Sequence, residues 1–170
     1  MKRMFSSVAA GLVLVASLGV AAPAAHAGDR VCTGKIGSIT VDDNIRVPAG
    51  KTCTLNGTKV KGNIEVKGNA TLNAAKIRVD GNIQSQAHKR VSVVDARVEG
   101  NIQLKSGGQV NLRRNTVDGD IQLFSNKKSG SKYVFKNVVD GNLQCKSNSP
   151  KPTGGQNKVD GNKENQCKKL

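Results

Sequence analysis

A hexapeptide returns along the chain at an almost constant interval, and that interval restricts the fold more than any other feature. It reads VKGNIE from Val60, VDGNIQ from Val79, VEGNIQ from Val98, VDGDIQ from Val117, VDGNLQ from Val139 and VDGN from Val159, with a diverged first copy, VDDNIR, from Val41. Successive valines are 19, 19, 19, 19, 22 and 20 residues apart. Such a period marks a solenoid, whose units bury their apolar faces only by stacking on their neighbours.

The content of each unit favours strands over helices. Units this short have no room for two amphipathic helices, and their Gly, Asn and β-branched residues disfavour helix and suit short strands separated by turns. In VKGNIEV the alternation predicts Val60, Gly62, Ile64 and Val66 facing inward and Lys61, Asn63 and Glu65 facing outward. A second alternating stretch follows in the early units: Cys53 and Leu55, Leu72 and Ala74, Val91 and Val93, Val110 and Leu112. Two or three strands per turn, in a chain that winds without reversing, make an all-β, single-domain parallel β-helix of about seven coils of 19–22 residues. At ~4.8 Å per coil the stack spans on the order of 30 Å. Leucine-rich repeats share the period, but their leucine-asparagine consensus is missing. Left-handed β-helices count in hexapeptides, which a 19-residue turn fits poorly, so the right-handed form is expected.

The segment MKRMFSSVAAGLVLVASLGVAAPAAHA has a basic start, an apolar stretch and an A-x-A ending at Ala25 and Ala27. It reads as a secretory signal peptide over residues 1–27, cleaved before Gly28, with 28–170 as the folded domain. No other segment has the length and apolarity of a membrane span. Cleavage removes Lys2 and Arg3 and leaves 25 basic against 12 acidic residues, a net charge of +13. The even set of four cysteines in an exported chain predicts disulfides rather than a metal site, because no C-x-x-C is present and His88 is the only histidine after residue 27.

The V-x-G-N-[IL] coils resemble those of the right-handed parallel β-helix superfamily. The signal peptide, small size and terminal cysteine pairs are similar to short secreted actinobacterial β-helix proteins, mostly of unassigned function. Coil length and the inward Val/Ile pattern also resemble bactofilins, which are polymer-forming β-helices. The resemblance covers about residues 31–167; it implies the architecture and leaves activity open.

Cys32 and Cys53 lie one coil apart, as do Cys145 and Cys167. Equivalent positions on stacked coils fall within disulfide reach, so Cys32–Cys53 and Cys145–Cys167 bridges are expected to cap the two ends. Lys163 replaces the isoleucine or leucine of earlier copies, which makes the last coil a charged cap that discourages end-to-end strand addition.

Two outward ladders follow from the repeat. One is acidic (Asp42, Asp80, Glu99, Asp118, Asp140 and Asp160, interrupted by Lys61), and beside it runs Asn44, Asn63, Asn82, Asn101, Asp120, Asn142 and Asn162. Lys59, Arg78, Arg97 and Lys158 stand two positions before residues of the acidic ladder, Lys59 before its interrupting Lys61. Stacked amides and charge-offset acids explain these residues structurally. The functional alternative is calcium binding or polysaccharide cleavage, with Asp118, Asp120 and a nearby Arg97 or Arg113 as the candidates. The repeat glycines match no phosphate-binding motif and suit conformational freedom or close packing. His88 is expected to be a solvated turn residue.

Basic residues concentrate in turns at Lys89, Arg90, Arg113, Arg114, Lys127 and Lys128, a surface that attracts anionic polymers in a salt-dependent way. The three aromatics after residue 27 are Phe124, Tyr133 and Phe135; the bulged 22-residue coil is expected to use them to cover the core, and their scarcity argues against sugar-stacking platforms and nucleic-acid grooves. The leading expectation is therefore a secreted, non-catalytic structural or adhesive protein of the cell surface or extracellular matrix, needing no cofactor and binding anionic envelope polymers. A small lyase-like polysaccharide enzyme and a self-assembling polymer are the alternatives.

Overall fold

A computed structural model describes residues 28–170; the signal-peptide expectation lies outside these described residues. They form a parallel β-solenoid of about seven coils with three strands per full coil. Sheet I stacks Arg30–Val31, Ile45–Val47, Ile64–Val66, Ile83–Gln86, Ile102–Lys105, Ile121–Phe124, Leu143–Lys146 and Lys163–Asn165. Sheet II stacks Lys35–Ile36, Thr52–Asn56, Thr71–Ala75, Arg90–Val94, Gln109–Arg113, Lys132–Phe135 and Thr153–Gly155. Sheet III stacks Thr40–Val41, Lys59–Val60, Arg78–Val79, Arg97–Val98, Thr116–Val117, Val138–Val139 and Lys158–Val159.

The period becomes a set of vertical columns. Ile45, Ile64, Ile83, Ile102, Ile121 and Leu143 lie in register on sheet I and are all fully buried. Val60, Val79, Val98, Val117 and Val139 do the same on sheet III. Like-on-like stacking of β-branched side chains fills the interior without aromatic residues, and each fully buried Val, Leu or Ile contributes about 1.5–3 kcal/mol.

The hexapeptide differs from its sequence reading. It is a corner rather than one alternating strand: its valine ends sheet III, its isoleucine opens sheet I, and the residues between turn the chain. Gly62 therefore does not face the core. A Cβ on Gly100 would lie 2.5 Å from Asn82 Oδ1 and 2.8 Å from the Gly81 carbonyl oxygen; Gly81, Gly119, Gly141 and Gly161 have equivalent contacts, and Gly62 meets Asn44 Oδ1 and the Asn44 and Asp43 backbone. None of these corner glycines has a positive φ, so close packing requires them and conformational freedom does not.

The other two corners use left-handed backbone instead, at Lys76, Asp95, Arg114, Lys136 and Gln156 between sheets II and III, and at Ala87, Ser106, Ser125 and Ser147 between sheets I and II. Next to these kinks, the later coils bury amides. Asn137 accepts from the Asn115 backbone N–H (3.1 Å) and donates to the Leu112 carbonyl (3.0 Å); Asn126 and Asn148 do the equivalent at the I/II corner. Because buried main-chain groups must be paired, these asparagines complete the turn where the strand ladder lapses.

The cysteines pair as expected, Cys32–Cys53 and Cys145–Cys167, with Cα separations of 5.4 and 5.3 Å. Their positions are not coil equivalents. Sheet register sets Cys145 opposite Asn165, two residues before Cys167, and Cys53 lies in sheet II whereas Cys32 follows the first strand of sheet I. At the C-terminal end, Lys163 replaces the isoleucine column, and Leu170 packs against the core.

Candidate functional site

The ladder that carried the enzymatic alternative is engaged in holding the coils together. Asn63, Asn82 and Asn101 each donate their backbone N–H to the Oδ1 of the ladder residue one coil earlier at 2.8 Å, and Asp120 does so to Asn101 at 2.7 Å. Asp120 in turn accepts from the backbone N–H and side-chain amide of Asn142. Its carboxylate thus fills the same structural position as the asparagines. Four of the acids beside it pair with cations: Arg97 Nη2 lies 2.7 Å from Asp118, Lys61 lies 2.7 Å from Asp42, and Arg78 bonds both Asp80 and Glu99. The guanidinium of Arg78 is held above its ordinary value by the Asp80 and Glu99 hydrogen bonds. Among the described residues no cluster of three or more His, Cys, Asp or Glu side chains is arranged to hold a metal ion.

His88 is fully buried rather than solvated. Its Nδ1 lies 2.9 Å from Ser85 Oγ, which is 3.1 Å from the Val66 carbonyl oxygen. The single hydroxyl proton of Ser85 is committed to that carbonyl, so His88 Nδ1 is the donor and Nε2 the unprotonated nitrogen. Nε2 is buried and makes no hydrogen bond, and the ring lies directly beneath Gly107. A nucleophile-base pair needs the reverse polarity, with the serine donating to the histidine, so this contact is a packing device. Burial, with Lys128 and Lys132 adding repulsion, pushes the imidazole down to about 4.

Lys132 occupies the sheet II core column above Leu72, Val91 and Val110. Its Nζ donates to the carbonyls of Lys128, Gly130 and Ser149 at 2.7–2.8 Å, which uses all three ammonium protons. Burial pushes its pKa down. The residue ties the three-residue insertion to the coil that follows. The aromatics expected over this core point elsewhere: Val134 is the buried residue, while Tyr133 and Phe135 stand half-exposed on the outer face of sheet II and Phe124 on that of sheet I.

Charge is distributed unequally around the solenoid. Eight of the 12 carboxylates (Asp42, Asp43, Asp80, Glu99, Asp118, Asp120, Asp140 and Asp160) lie at the corner between sheets III and I, and no strand of sheet II contains an Asp or Glu. Five of the six basic residues singled out in the sequence border or lie on sheet II. Lys89, Arg90, Lys127 and Lys128 gather at its first edge, and Arg113 stands at the far end of its outer face. Arg114 does not contribute, because its Nε and Nη2 clamp Asp95 at 2.6 and 2.8 Å and hold that carboxyl below its ordinary value. Arg90 and Arg113 form no ion pair among the described residues, and the Nε of each is shielded and makes no hydrogen bond.

Between those arginines the outer columns are small and polar: Thr54, Asn73, Ser92 and Asn111 stack in register, with Asn111 donating to Ser92 at 2.9 Å. A shallow trough runs along Thr54, Asn73, Ala75, Arg90 and Val94. Compared with protein-family models, curated proteins and solved structures, the chain matches none of them.

Proposed function

We propose that this protein is an exported, non-catalytic binding module that holds anionic polymers of the cell envelope or extracellular matrix on sheet II. The observation that carries the reading is charge segregation: the strands of sheet II contain no carboxylate, and Arg90 and Arg113 form no ion pair among the described residues, while the arginines of the opposite corner are engaged by acids. A flat face with unengaged guanidiniums attracts a polyanion and releases it as salt rises. The two disulfides suit an oxidising compartment outside the cytosol, in line with the signal-peptide reading of residues 1–27.

Retention on an immobilised anionic polymer tests the proposal. Arg90→Gln with Arg113→Gln is expected to elute at markedly lower salt than the wild type. Arg78→Gln with Arg97→Gln removes the same formal charge from the ion-paired corner and is expected to shift elution little. Equal shifts in the two double variants would mean that net charge acts without a preferred face, and the proposal would be wrong.

A further inference from the structure

The aromatic pair on sheet II gives that face a second chemistry. Tyr133 and Phe135 stack with centroids 5.6 Å apart, and the Lys136 ammonium lies 5.1 Å from the Phe135 centroid. In the sheet register Tyr133 stands between Asn111 and Thr153, and Phe135 between Arg113 and Gly155. One patch thus brings together a braced ring, an amide, a hydroxyl and a guanidinium that forms no ion pair among the described residues, with the nearest acid, Asp95, beyond the strand end and clamped by Arg114. The insertion does not place these rings in the core, so their apolar faces are kept at the surface next to Arg113 and Asn111.

Each part suits a different portion of a charged sugar. A ring face covers the C–H surface of a pyranose, an amide and a hydroxyl exchange hydrogen bonds with ring hydroxyls, and a guanidinium fork grips a carboxylate or sulfate in bidentate fashion. We infer that sheet II binds an acidic polysaccharide, with a sugar ring seated on the Tyr133–Phe135 pair and its anionic group, or that of the adjacent residue, held by Arg113. This inference rests on the polyanion reading above and narrows its ligand from any anionic chain to one built of pyranose rings.

The test compares three probes in calcium-free buffer by titration calorimetry: alginate oligomers, inorganic polyphosphate and neutral dextran. The wild type is set against Tyr133→Thr, which installs the residue found one coil later in the same column, with thermal melting confirming that both are folded. The expected result is that alginate affinity falls about tenfold in Tyr133→Thr, that polyphosphate affinity is unchanged, and that dextran does not bind measurably. Equal losses for alginate and polyphosphate, or no loss for either, overturn the sugar assignment and leave the polyanion reading standing. Absence of wild-type binding to both anionic probes overturns the two together, and dextran binding as strong as alginate overturns the acidic part.

Discussion

Between neutrality and pH 5, acid should destabilise this protein chiefly through one side chain. His88 is neutral and buried with Nε2 unbonded, so protonation would install an N–H that has no acceptor beside Lys128 and Lys132. The group titrates at about 4 when folded against an ordinary 6.5. Because the folded value is the lower one, the unfolded chain binds the extra proton first, and stability falls as pH drops through the window between them. A shift of this size corresponds to about 2 kcal/mol lost by pH 5 and ~3 kcal/mol by pH 4, a large share of the stability of a domain. Guanidinium unfolding monitored by circular dichroism at pH 7.5, 5 and 4 measures the loss. The matched variant is His88→Asn, because Asn126 and Asn148 occupy the same place in later coils: they lie two residues beyond Phe124 and Lys146, as His88 lies two beyond Gln86 in the same strand column. Its pH dependence between 7.5 and 5 is expected to be nearly flat. Wild-type and variant curves of equal slope across that range would refute the tautomer and burial reasoning, as would a titration of His88 near 6.5 followed by NMR.

Three further outcomes can be checked by similar measurements. Gly100→Ala forces a Cβ against the Gly81 carbonyl and Asn82 Oδ1, and a loss of roughly 1–3 kcal/mol is expected in denaturant midpoint, whereas Gly68→Ala, with open space at its Cβ, should stay within about 0.5 kcal/mol. Opening either disulfide by paired Cys→Ala substitution releases a loop with a sequence separation of 21 or 22 and should lower stability by ~3 kcal/mol, with hydrogen exchange rising first in the coil at that end. Asp120→Asn restores the ladder amide and adds a donor facing Asn101 Oδ1, so its melting temperature should equal or exceed the wild type; a lower value would show that the carboxylate does something the asparagines cannot.

The repeat made the columns legible. Valine and isoleucine recurring at one interval could only stack on themselves, and the cysteine pairs followed from the same interval even though their exact register did not. The corners were hidden because V-x-G-N-I satisfies strand alternation whether or not the chain bends at its glycine. Asn115, Asn126 and Asn137 lie outside the repeated hexapeptide, and only the coil-to-coil geometry reveals that they point inward to complete main-chain pairing. His88 was misjudged because a polar side chain is assigned to solvent unless its buried partners are known, and these are a serine on the preceding strand and a glycine one coil on; the burial of Lys132 rests likewise on carbonyls of the insertion and of the next coil. On the candidate face, the basic residues were visible, but which of them are free was not. Arg113 and Arg114 are neighbours in sequence, and the left-handed kink at Arg114 directs one to an ion pair and leaves the other unpaired.

The amide ladder has a consequence for how such a chain changes length. Each ladder oxygen receives the main-chain N–H of the following coil, so a 19-residue segment carries one complete donor and one complete acceptor and can be copied in tandem like a course of brickwork. Duplicating residues 79–97 would raise the stack by one strand spacing, ~4.8 Å, with every column kept in line. Lengths that are not whole courses must be absorbed elsewhere, and the chain shows where: the three extra residues of the 22-residue unit leave sheets I and III undisturbed and bulge only at the I/II corner, the one place where the molecule can be edited residue by residue rather than coil by coil.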